Sequence, residues 1–335
     1  MNTRLRRLAV LLAVLILPAW LPALTIKMGT IAPANTPWDT ALKTIASDWS
    51  TISGGDVSVR LYPGAIAGDE NDMIRKMRIG QLQAAALSGE GLKQIVNDAI
   101  ILDLPFLFNS GDEFRWVLDR VTPDFKKRFE EKGFVLLGWN IAGWINFFSR
   151  SPVVYPSDLM PQKLALSAGN DSAIVQGWQQ AGFQVVPIGI SNLMSALSSG
   201  MVDAFYTEPL AAAAYQWFGI AKYMCDLKIA PLIGGIVMSE RAWRQVPDRY
   251  KEQFIAATEK AEGPIFRNMS ALEQEAMNVM VQNGLVIEKV PPAAVAAWRS
   301  TLTNGFDSLA GKAYSKGAYN EIVSLVREYR STHGQ

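Results

Sequence analysis

The 335-residue chain has one cysteine, Cys225, and one histidine, His333. A single thiol excludes an internal disulfide, and the two residues together fall short of a Cys/His zinc site. His333 stands two residues from the C-terminus, where chains fray, so it cannot anchor a Ser-His-Asp triad. The phosphate-binding loops G-x-x-x-x-G-K-[ST] and G-x-G-x-x-G are missing, as is the hydrolase turn G-x-S-x-G. Neither an enzyme nor a resident cofactor is expected. Strong charge of one sign is also missing: the formal net charge is +1, so nothing calls for nucleic acid or an anionic membrane surface.

Long apolar runs are confined to the start. "MNTRLRR" is basic, "LAVLLAVLIL" is apolar, and "PAWLPA" is broken by proline and ends in a small residue. This is the pattern of an export signal over residues 1–23, cleaved after Ala23. Pro18 and Pro22 interrupt the run from Leu8 to Leu24, which falls short of the ~20 residues of a membrane span. Losing Arg4, Arg6 and Arg7 leaves the 32 basic and 31 acidic residues at a net charge of about −2. Cys225 lies far from the signal, so the chain is not expected to be a lipoprotein. A soluble periplasmic protein is the simplest reading.

The 335-residue chain carries 49% hydrophobic residues, enough for one large core or two ordinary ones. Its patterns alternate between strand and helix. "TIKMGTI" (25–31) reads as a strand. A helix follows, with Thr36 as N-cap, Pro37 in its first turn and Gly54-Gly55 as its stop. "VSVRLY", "DENDMIRKMRI" and "QAAALS" continue as strand, helix and buried strand. A second series begins near residue 145 with "KLALS", "NDSAIVQGWQQAG", "VVPI", "SNLMSALSSG" and "VDAFY". The expected fold class is α/β: two lobes with mixed sheets flanked by helices and a cleft between them. Residues 247–284 are helix-compatible throughout, broken only by Gly263-Pro264, and at ~1.5 Å per residue such a helix would bridge both lobes.

Aromatic residues gather near strand ends. Most serve ordinary core packing, but Trp144 in "GWINFFS" and the pair Phe205-Tyr206 border the inferred cleft. Glu208, before Pro209, opens a helix, where a carboxylate stabilises the helix dipole with or without a ligand.

Four stretches carry a resemblance: "LYPGAIAGDENDMIRKMRIGQLQAAAL", "ILDLPFLF", "SRSPV" with "KLAL", and "LMSALSSGMVDAFYTEPL". Together and in order they resemble the DctP-type solute receptors of TRAP transporters, periplasmic binding proteins of the type II fold. The resemblance implies a receptor that closes on a small molecule by a hinge and delivers it to an ion-gradient-driven membrane permease. It implies a first lobe of residues 24–142 plus 236–276 and a second of 143–235 plus 277–335. By alignment and strand-end position, the ligand contacts would be Trp38, Ser88, Asn140, Trp144, Ala165, Asn170, Tyr206 and Glu208.

The resemblance also implies two arginines that hold an organic acid, and both are replaced. In "KLALS", Ala165 stands at the position of the bidentate arginine, and Trp144 at that of a second. "VDAFYTEP" is one residue longer than the related pattern and puts Glu208 beside the proline. The ligand is therefore expected to be apolar, aromatic, neutral or cationic. The alternatives are an organic acid held through a metal ion on Glu208, or by helix N-termini near Asn170 and Ser191. A further alternative is hydrophobic cargo shared with a periplasmic helical-repeat protein.

Overall fold

The computed structural model describes residues 24–166 and 173–334; residues 1–23 and residues 167–172, with Asn170, lie outside them. The first series is β1 (Leu24–Thr30), α1 (Pro37–Ile52), β2 (Val57–Tyr62), α2 (Glu70–Arg78) and β3 (Ala84–Ser88). It continues through α3 (Gly89–Lys93), a 3-10 helix (Asn97–Asp103), α4 (Gly111–Glu131) and β4 (Phe134–Trp144). The second is β5 (Asn146–Ser149), α5 (Pro156–Leu159), β6 (Lys163–Leu166), α6 (Ala173–Gln180) and β7 (Gln184–Pro187). It goes on to α7 (Leu193–Ser199), β8 (Ala204–Thr207), α8 (Pro209–Ala214) and β9 (Tyr223–Cys225). Then come β10 (Pro231–Ser239), α9 (Glu240–Trp243), α10 (Asp248–Gln282), β11 (Val286–Glu288), α11 (Pro292–Asp307) and α12 (Lys316–His333).

These strands build two mixed sheets, of order β2-β1-β3-β10-β4 and β11-β9-β5-β8-β6-β7. Local chemistry starts the elements where the residues dictate. Thr36 caps α1 by accepting from the Asp39 N–H at 3.3 Å, with Pro37 in the first turn. Asp69 caps α2 in the same way, accepting from the Asp72 N–H at 2.8 Å. Strand alternation then sorts β3 between two layers: Ala84 and Ala86 face the core that contains Trp49 and Phe254, while Ala85 and Leu87 face the opposite core. Trp49 of α1 stacks on Phe254 of α10 at 4.4 Å and donates its indole N–H to the Phe254 carbonyl at 3.2 Å. That contact fixes one end of the long helix to the first sheet.

α10 runs 35 residues, about 50 Å at ~1.5 Å per residue, and packs on α1, β4 and α8. It therefore touches elements of both halves. The last helix, α12, returns to the first half and packs on α4. Arg330 donates to Glu113 at 2.7 Å, and the Ser315 N–H donates to Asp98 at 2.6 Å. Among the described residues, no helix is long and apolar enough to cross a membrane.

Candidate functional site

Elements of both sheets enclose a cavity of about 240 Å³. Six of the residues singled out from sequence line it: Trp38, Ser88, Asn140, Ala165, Tyr206 and Glu208. They arrive from α1, the end of β3, β4, β6 and the end of β8, so only the tertiary fold brings them together. Asn170 lies outside the described residues.

Trp144 does not line the cavity. Asn140 and Ala142 do, and simple alternation would bring residue 144 to the same face. The pairing with β10 shifts here, however: Ile141 opposes Ile233 and Gly143 opposes Leu232, which leaves Ala142 as an unpaired bulge. Beyond it the faces exchange. Ile145 reaches the cavity, and the Trp144 side chain packs against the core while its backbone N–H donates to Glu273 at 2.6 Å.

Ala165, where the resemblance expects an arginine, is buried on β6 between Val186 of β7 and Phe205 of β8. No lysine, arginine or histidine lines the cavity among the described residues, but three acids do: Glu90, Asp103 and Glu208. Burial lifts Glu208 to about 8, against the hydroxyl of Thr207, which donates to it at 2.8 Å. Burial likewise lifts Asp103 to about 8, although the Ile233 N–H donates to Oδ1 at 3.0 Å and Lys93 attracts the charge. Glu90, paired with Lys93, is raised by burial as well. Behind this wall Glu70 accepts from the Ser88 N–H at 2.5 Å and its hydroxyl at 2.8 Å, and burial brings it to about 7. Burial thus favours the protonated form of Asp103 and Glu208 near neutral pH.

Aromatic rings of the second half also line the cavity. Trp178 stacks with Tyr206 at 5.4 Å, and Tyr215 lies nearly parallel to Trp217 at 4.4 Å. Tyr215 also donates its hydroxyl to the Ile31 carbonyl at 2.6 Å, which ties the turn after α8 to the end of β1. The sequence reading did not select Glu90, Asp103 or Trp178 as ligand contacts. Glu90 follows a strand end within "SGEG", and Asp103 sits inside "ILDLPFLF", so each carried a signal that was available. Trp178 in mid-helix carried none. Among the described residues no group of three acidic, histidine or cysteine side chains is placed to hold a metal ion. The Ser191 region forms a single 3-10 turn leading into α7, and Ile190 and Leu193 face the cavity there.

A family model described as DctP, bacterial extracellular solute-binding protein, family 7, matches residues 28–312. A solute-binding protein of Chromohalobacter salexigens is 24% identical over 69% of this chain and 69% of its own. A TRAP periplasmic solute-binding protein of Xanthobacter autotrophicus Py2, solved with β-D-galacturonate, superposes with a TM-score of 0.83 at 17% identity. That match covers 90% of this chain and 99% of the other. One from Shewanella oneidensis, solved with succinate, gives the same TM-score, identity and coverage. Both structural neighbours share the two-lobed fold, and both hold an organic acid.

Proposed function

Because the chain belongs to DctP, family 7 of the bacterial extracellular solute-binding proteins, we propose that it is the periplasmic receptor of a TRAP-type transporter with an atypical ligand. It captures a small molecule in the cavity between its sheets and delivers it to the membrane permease. The two bodies that close on the ligand are residues 24–142 plus 236–276 and residues 143–235 plus 277–335; α12, at the end of the second, also packs on α4 of the first.

One observation carries the ligand reading: the cavity wall holds three acids and no cation among the described residues. A desolvated arginine fork contributes ~2–5 kcal/mol to holding a carboxylate. Without it, a dicarboxylate or uronate entering this cavity would lose its hydration with no lining cation to replace it. An apolar, aromatic or neutral molecule needs no such cation, and a cationic one finds acids in the wall.

Thermal-shift screening tests this. A ligand at 100 times its Kd stabilises by about 2.7 kcal/mol, which is readily seen as a rise in Tm. The expected hits are apolar, aromatic or cationic; strong stabilisation by succinate or galacturonate would sink the proposal. Ala165→Arg is expected to confer measurable carboxylate affinity, because it returns a cation to a buried wall position.

A further inference from the structure

We propose that the cavity takes a protonated amine carried on an apolar or aromatic body, with the ammonium seated against Asp103 and Glu90. The inference rests on the receptor reading above and names the ligand class for the same cavity.

Glu90 on α3 and Asp103 at the end of the 3-10 helix stand on the side of the first sheet, whereas Trp178, Tyr206, Tyr215 and Trp217, together with Glu208, come from the second half. Asp103 is held by one oxygen only. Its Oδ1 takes the Ile233 N–H, while Oδ2 makes no hydrogen bond among the described residues. Oδ2 lies over Gly89, where a Cβ would stand 1.7 Å from it, so only glycine leaves room for the carboxyl in this position. A free carboxylate oxygen in the wall of a cavity that aromatic rings also line is complementary to an ammonium group, which both attract. A second unused group lies in the same wall: the indole N–H of Trp38 is buried without a partner.

The charges facing Asp103 set the pH response. Lys93 attracts its negative charge, whereas Glu90 and Glu70 oppose it. An incoming ammonium adds a second attraction and draws the proton off. Amine affinity therefore rises with pH up to about 8, by at most ~10-fold per unit for each proton released.

Calorimetric titration at pH 7.5 with matched series tests the assignment: tryptamine, tryptophol and indole-3-propionate; 2-phenylethylamine, 2-phenylethanol and 3-phenylpropionate; pentylamine, pentanol and hexanoate. In at least one series the amine is expected to outbind both partners by about 10-fold or more. Asp103→Asn keeps the Oδ1 acceptor and the shape, so it is expected to abolish that advantage, lowering amine affinity about 10-fold relative to that of the matched alcohol. A purely structural role for Asp103 would lower both together. Should Asp103→Asn melt early, Glu90→Gln is judged by the same amine-to-alcohol ratio. An alcohol or carboxylate that outbinds its amine, or an amine advantage that survives the substitution, overturns the assignment and leaves the receptor reading standing. No binding by any member of any series counts against both.

Discussion

Gly143 holds φ at +136°, a conformation that side chains resist, just past the bulge that turns Trp144 away from the cavity. A Cβ there would lie 2.6 Å from Glu273 Oε1 and 3.1 Å from the Glu208 Cβ. The glycine thus makes room for two buried carboxyls, one from α10 and one at the start of α8. Gly143→Ala is expected to lower stability by about 1–3 kcal/mol from backbone strain, and further by displacing the acids, as read from urea melts. Gly143 within "WNIAGW" is a signal for a bulge, but the unpaired position was not legible, because the shift arises against a partner strand about 90 positions away. Glu90 and Asp103 were legible in type but not in role, since their place in a wall depends on Ile233 and Gly89 being neighbours.

α10 is the element whose local pattern said most. Its apolar and polar residues read as helix on both sides of Gly263-Pro264, and the helix passes through that pair unbroken. Pro264 cannot donate to the carbonyl of Lys260, so the helix carries one missing hydrogen bond in mid-span. Pro264→Ala is expected to stabilise the protein by roughly 1–3 kcal/mol, seen as a higher Tm with unchanged far-UV dichroism. The strand periodicities were equally readable in β1, β2 and β3, because each has its own alternation or buried run. Pairing order was not. β10 lies between β3 and β4 because its nine residues, eight of them buried, need cover on both edges, and that requirement has no local signature. The return of α12 to α4 was hidden for the same reason: Arg330–Glu113 and Ser315–Asp98 join residues 217 apart.

Across the whole molecule, the buried acids tie stability to pH. Glu70 at about 7, and Asp103 and Glu208 at about 8, bind protons more tightly folded than unfolded. The stability they contribute is full below their unfolded values near pH 4 and is lost as pH rises toward 8. Asp39 is shifted the opposite way, so its contribution is already complete by pH 5. The ligand-free protein is therefore expected to melt at a higher temperature at pH 5 than at pH 8 in scanning calorimetry. Asp103→Asn combined with Glu208→Gln should flatten that slope. The insertion of β10 also has a consequence in time. Until residues 231–239 leave the ribosome, β3 and β4 have no strand to join them, and each presents an unpaired edge. The first half of the chain is therefore made early and completed late, which leaves any chain stalled before Pro231 prone to aggregate.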